Sequence, residues 1–309
     1  MLVESSLRAV PLSTYYPRSI IFGILYYVFY QFCLTIDTTI VFDLGHAMTL
    51  SQLTFIRGSG CLLVLIFLCG RQIANSFKTR FLKLNIARSL LTLAAIWFIY
   101  FGLQHLSLSD ALVIIYLRPL FVVTMGVLIL REKLTFRKTL AVAAGFVGTV
   151  IAVGPSLVYR DRAYLGAVLV AALGALFGAA ATITTKTSTQ TNTDETVLAF
   201  MSIVFFSASP FALVQVWPWS RLQELSLLAI SGGLAVWFNT KALRHAEASL
   251  LGPIEYLRLP LGLSLAFICF SEKPSAWTIF GSALIVVSCL PLLPNRLTWL
   301  SNGRLETDL

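Results

Sequence analysis

Apolar residues run along most of this chain, and polar ones gather in short interruptions. Ten apolar stretches stand out, at roughly 19–42, 49–69, 86–106, 109–130, 138–157, 164–186, 196–218, 222–244, 248–270 and 276–294. A helix crosses the ~30 Å hydrocarbon layer in about 20 residues, so each stretch matches one crossing. The longest interruptions, 70–85 and 187–195, leave no room for a soluble domain. A bilayer offers no water to backbone N–H and C=O groups, so spans of this length must satisfy them internally. The pattern predicts an all-α integral membrane protein of ten transmembrane helices.

Composition agrees. Only 12% of the residues are charged and 57% are hydrophobic, with mean hydropathy +0.83. A soluble domain carries about 25% charged residues, so lipid must cover much of this surface. The formal net charge is +9, and its distribution sets an orientation. With the N-terminus cytoplasmic, sixteen Lys and Arg residues fall on the inside and four on the outside, Arg160, Arg162, Arg221 and Lys273. That bias places both termini in the cytoplasm and the chain as a multi-pass protein of the cell inner membrane. Basic residues confined to short loops offer no single face to nucleic acid. The apolar run after Arg8 and Arg18 is too long for a signal peptide and reads as a retained first helix. Cys33, Cys61, Cys69, Cys269 and Cys289 lie in or beside spans without metal-ligand spacing, as ordinary small apolar residues.

The chain also repeats itself. Shifted by 140 residues, 102–134 lies on 242–274 without a gap, with nine identities in 33 positions. They include His105/His245, Tyr116/Tyr256, Arg118/Arg258 and Glu132/Glu272. Polar identities within apolar segments outweigh shared leucines. The match sets the fourth span on the ninth, so each half holds five spans. An odd number forces the halves to insert with opposite orientation, giving two inverted five-helix repeats over 19–157 and 164–294.

These residues resemble a known family. Ala111–Glu132, with Arg118-Pro119 at its middle, looks like the end of an EamA domain of the drug/metabolite transporter superfamily, and Ala242–Glu272 looks like its second copy. The tails Gly145-Phe146-Val147-Gly148 and Gly281-Ser282-Ala283-Leu284 suit it too. The resemblance covers about Ile20 to Leu293. It implies transport of a metabolite through a central cavity between the repeats. The ninth-span sequence Pro253–Pro260 is similar to a branch moving amphipathic or zwitterionic metabolites, such as amino acids, S-adenosylmethionine, riboflavin or opine-type metallophores. The first repeat departs from the common pattern by carrying Tyr116-Leu117-Arg118 before its proline.

Ionisable groups inside spans are costly, and Asp37, Arg57, Arg118, Glu255 and Arg258 are the five visible here. Glu255 and Arg258 stand three apart, within reach of each other on one helix. They either bind the solute, Glu255 an amine or proton and Arg258 a carboxylate or phosphate, or close as a structural ion pair. Arg118 has Ile115 where that acid would be. It needs a partner from another helix or from the solute, and Arg118→Ala is expected to lower transport in a protein that still folds. Asp37 and Arg57 read as a structural pair. Pro119 and Pro260 are expected to kink their spans. Trp97, Tyr100, Tyr116, Trp237 and Tyr256 offer stacking faces, and Gln31, Gln104 and Asn239 offer hydrogen bonds. Under the resemblance the third, fourth, eighth and ninth spans, which hold these aromatic residues, line the cavity, although aromatic residues in spans more often pack. Glu132-Lys133 and Glu272-Lys273 sit at span ends as orienting residues, and Gly174 and Gly178 mark close helix packing.

No phosphate-binding loop of the G-x-x-x-x-G-K-[ST] type occurs, so the chain alone has no ATP drive. The reading is a secondary transporter with no cofactor, metal or catalytic residue. Its partners are a small-molecule solute and the bilayer. It is driven by a coupled proton, an exchanged solute or the solute's own gradient, and it works as a monomer or homodimer. The alternatives are an intramembrane lipid-modifying enzyme, which would need clustered carboxylates or histidines that the sequence scatters, and a channel.

Overall fold

The computed structural model describes residues 17–44, 48–106, 114–153, 162–262, 264 and 276–290. Among them there is no strand, and each of the ten apolar stretches contains helix. The helices are α1 (Pro17–Leu44), α2 (Leu50–Cys69), α3 (Leu82–His105), α4 (Arg118–Leu128), α5 (Phe136–Val153), α6 (Arg162–Thr191), α7 (Asp194–Ser207), α8 (Leu222–His245), α9 (Ala248–Leu251) and α10 (Ala276–Cys289). α9 passes into a 3-10 segment, Gly252–Leu257, and helix resumes over 258–262. Glu272 and Lys273 lie outside the described residues.

Among the described residues, α1, α2, α3 and α6 contain stretches long and apolar enough to cross a membrane. The others are shorter, as in α4 and α7, or more polar, as in α8 with Asn239, Thr240, Lys241 and Arg244 in its second half. α7 stops at Ser207, well before residue 218. Pro210 follows, without the N–H a continuing turn requires, and the chain turns into the 3-10 helix Pro210–Val214. At Pro119 the structure has a break where the sequence pattern predicts a kink. Residues 116 and 117 form a turn, and α4 starts afresh with Pro119 in its first turn, where a missing N–H is harmless.

The helices are inside out compared with those of a soluble bundle. Phe22, Leu25, Phe29 and Phe32 recur at helical spacing on the outer face of α1 and are exposed. Tyr27, Gln31, Thr35 and Asp37 on the same helix are buried. Phe67, Leu128, Leu169 and Phe280 extend the apolar exterior to other helices. Soluble monomers do not expose patches of this extent, whereas lipid tails cover them without cost.

α1 packs along α8 and α3 along α6, α2 crosses α7 and α8, and α5 runs against α10. Hydrocarbon gives apolar helices little reason to prefer one another, so close backbone approach supplies the specificity. It is tightest between α2 and α8: a Cβ on Gly60 would overlap the Ala229 carbonyl, and one on Gly233 would overlap that of Gly60. Gly174 lets α6 meet α3 at Ile99, as its small-residue spacing predicts.

One end of the bundle is closed by charges placed on helix termini. Lys186 Nζ donates to carbonyls at the end of α8, Leu243 (2.6 Å) and the capping residue Ala246 (2.7 Å). Arg244 donates to Thr189 and Asn192 at the end of α6 and pairs with Asp194 in the first turn of α7. The Glu132 carboxylate accepts from the N–H groups of Ala248 (3.0 Å) and Ser249 (2.7 Å), where α9 begins. Lys138 joins Glu247 (2.6 Å) and Ser249 (2.7 Å) beside it. Cations thus meet helix C-termini and acids meet N-termini, as the helix dipole favours.

Candidate functional site

Within the bundle lies a cavity of about 110 Å³, lined by α1, α2, α3, α4, α6, α7, α8 and Arg258. Its polar character follows from stripes at helical spacing on otherwise apolar helices. On α3, Asn85, Arg88, Ser89 and Thr92 fall on one face, and Arg88 and Thr92 reach the cavity. On α6, Thr182 and Thr185 face inward, each returning its hydroxyl proton to the carbonyl four residues back. Threonine suits this position because it satisfies itself when nothing else is bound.

Four guanidiniums surround the cavity. Arg57 pairs with Asp37 as the sequence suggests, and its guanidinium lies 5.9 Å from the centre of the Tyr100 ring. That pair lines the cavity, closer to the candidate site than a purely structural pair need be. Gly232 leaves room for it, since a Cβ there would stand 3.3 Å from Arg57 Cγ. Arg118 pairs with Glu255 (3.0 Å) and donates to Thr182 (2.9 Å). Its side chain passes over Gly178, whose missing Cβ would come within 3.1 Å of Nε. Arg258 donates to Thr38 on α1. Arg88 is buried, donating to the Val197 carbonyl (2.7 Å) and the Ser89 hydroxyl (3.1 Å).

The pairing of Glu255 with Arg258, which their spacing allows, is therefore replaced. Glu255 takes Arg118 from α4, and Arg258 turns to α1. The two repeat-related arginines behave alike. Arg118 in the first half reaches Thr182 on α6, the first helix of the second half. Arg258 in the second half reaches Thr38 on α1, the first helix of the first half. The repeat-related Tyr116 and Tyr256 also meet, with ring centres 5.9 Å apart.

Of the ten sequence candidates, Tyr100, Arg118, Asn239 and Arg258 line the cavity. Tyr116 and Tyr256 pack behind it with Leu259 and Ile285, the Tyr256 ring lying over Gly145. Glu255 stands behind Arg118, and Gln31 is fully buried in α1. Trp97 ties α3 to α2 through Thr54 (2.9 Å), and Trp237 packs against Tyr26 and Phe238. Gln104 sits exposed in the last turn of α3. The residues missed are Tyr30, Thr38, Arg88, Thr182 and Thr185. Arg88 is one of the sixteen basic residues that the charge bias counts on the cytoplasmic side, with Arg80 and Lys83 close by. The stripe from Asn85 to Thr92 is the signal that places it inside.

Ligand pockets for drug-sized molecules occupy about 300–1,000 Å³. The cavity here is well below that range.

The architecture defines an all-α multi-pass membrane protein. A solved structure superposes on it with TM-score 0.72 over 89% of this chain and 98% of its own, at 19% identity, a likeness of fold. Residues 19–154 match the EamA-like transporter family. The pseudopaline exporter CntI of Pseudomonas aeruginosa (strain UCBPP-PA14) is 24% identical over 274 residues, 87% of this chain and 95% of that protein. An S-adenosylmethionine uptake transporter of Rickettsia felis is 26% identical over 79% of this chain and 82% of its own. A riboflavin transporter of Brucella anthropi is 26% identical over 72% and 80%. The family match covers the first part of the chain, and the relatives that span most of it are named as transporters of small metabolites.

Proposed function

We propose that this protein is a secondary transporter that carries a small amphipathic or zwitterionic metabolite, amino-acid-derived or nucleoside-like, across the cytoplasmic membrane. The observation that carries the proposal is the cavity within the bundle into which four guanidiniums converge, in a chain whose relatives are named as transporters. Arg118, Arg258, Arg88, Tyr100 and Asn239 contact the solute. Tyr116, Glu255 and Tyr256 hold the arginine-bearing segments in place. The halves, 19–157 and 164–294, form inverted repeats about an axis near Tyr116 and Tyr256, with both termini cytoplasmic. The reciprocal Arg118–Thr182 and Arg258–Thr38 contacts support that relation, because each repeat-related arginine reaches the first helix of the other half.

The purified protein, reconstituted into vesicles and tested with labelled amino acids, nucleosides, vitamins and metallophores, is expected to show saturable flux of at least one. Absence of flux across the whole panel, or turnover of lipid by the same preparation, would remove the transporter reading in favour of an intramembrane enzyme. Unsaturable flux at channel rates would equally count against a carrier.

A further inference from the structure

We infer that the solute is a net anion whose carboxylate or phosphate oxygens lie between Arg88 and Arg258. This rests on the transporter reading above and narrows it.

The charge around the cavity does not balance. Among the described residues, Arg57, Arg88, Arg118 and Arg258 line it, and Asp37 and Glu255 are the buried carboxylates paired with them. Asp37 is engaged by Arg57, and Glu255 by Arg118. Among the described residues no carboxylate lies within ion-pair distance of Arg88 or Arg258. Asp37 and Glu255 each already hold one arginine, and one carboxylate cannot neutralise two guanidiniums. Guanidinium does not deprotonate in proteins, so the excess positive charge cannot be relieved by losing a proton.

The hydrogen bonds of the two unbalanced arginines are all to neutral groups. Arg88, 2% exposed, uses Nη2 on a carbonyl and a hydroxyl and leaves Nε without a partner. Arg258 uses Nη2 on the Thr38 hydroxyl. A cation without counter-charge inside a membrane protein is strongly disfavoured, and Arg88 is buried while Arg258 is half-buried. The fold nevertheless places two beside one cavity, each with donors arranged in the fork that fits carboxylate or phosphate. A solute with surplus negative charge completes the balance. A neutral solute leaves it unchanged, and a cationic one worsens it.

Thermal unfolding of the purified full-length protein in detergent tests this, with citrate, 3-phosphoglycerate, glutamine and S-adenosylmethionine compared at equal ionic strength. Citrate or 3-phosphoglycerate is expected to raise the midpoint by about 2–4 °C, with glutamine and S-adenosylmethionine producing no rise. A response to citrate alone identifies carboxylate chemistry, and one to 3-phosphoglycerate alone identifies phosphate. Arg88→Gln and Arg258→Gln should each fold, since each removes an uncompensated charge, and each should lose at least about half of the rise. No rise with either acid overturns the inference, as does a larger rise with glutamine or S-adenosylmethionine. A rise that persists in both variants is a general solvent effect and overturns it too. Saturable flux of glutamine or S-adenosylmethionine without anion binding would discard the charge preference and keep the transporter. Anion binding without flux of any solute would do the reverse.

Discussion

Arg118→Ala is expected to abolish flux and to destabilise the folded protein by about 3–5 kcal/mol. The sequence suggests a milder outcome, a folded carrier that merely transports less. The difference comes from Glu255, whose side chain is 2% exposed and whose ion-pair partner is Arg118 at 3.0 Å. Truncating the arginine strands that carboxylate away from water. Removing both charges should be far less harmful to folding than removing one, because apolar groups of similar size replace buried pairs at little net cost. Arg118→Met with Glu255→Gln is therefore expected to recover at least about half of the lost stability while flux stays absent. The comparison separates the two roles. Unfolding midpoints report the pair, and vesicle flux reports the path. Normal flux by a well-folded Arg118→Ala variant would remove this residue from the solute's route.

Gly233→Ala is expected to be nearly as damaging, for a different reason. Its added methyl would overlap the Gly60 carbonyl, a backbone group on α2 that cannot rotate away. The helices must separate, and a cost above about 3 kcal/mol is expected, at the upper end for overpacking. Size-exclusion chromatography should show loss of the folded peak. Gly166→Ala on α6 is the control, because nothing lies within 4 Å of the Cβ it would add. That variant should match the parent or gain up to about 1 kcal/mol of helix propensity. Equal behaviour of the two variants would mean that the α2–α8 crossing is looser than described.

Much of the fold is legible in the sequence because a bilayer imposes few rules. Apolar length fixes the spans, and α1, α2, α3 and α6 begin and end within a few residues of their apolar stretches apart from extended ends. The early stop of α7 is harder to read. Residues 208–218 stay apolar enough to continue, and only Pro210 and Pro218 signal the change. The site is legible as a set of residue types and poorly legible as a set of contacts. Asp37 and Arg57 pair as opposite charges on adjacent helices should. Glu255 and Arg258 do not, because spacing along one helix states reach and leaves the partner open. The break before Pro119 brings Arg118 to Glu255, and Arg258 finds Thr38 across the bundle. Tryptophan in a span says nothing of direction: Trp97 and Trp237 turn to neighbouring helices, while the self-satisfying Thr182 and Thr185 line the cavity. Arg88 is the most instructive miss. Counting it with the loop charges sets the positive-inside rule against the stripe of Asn85, Ser89 and Thr92 beside it, and the stripe decides.

The central claim is that the cavity within the bundle is the solute's path, reached in turn from each side of the membrane. Labelling of Thr185→Cys tests it most directly, in a chain whose five native cysteines are replaced. Thr185 lines the cavity and is 3% exposed. A membrane-impermeant maleimide should modify the new thiol slowly from either face of the membrane, and a saturating transported solute should suppress the modification. Flux that persists while the thiol reacts equally fast with and without solute would contradict the account.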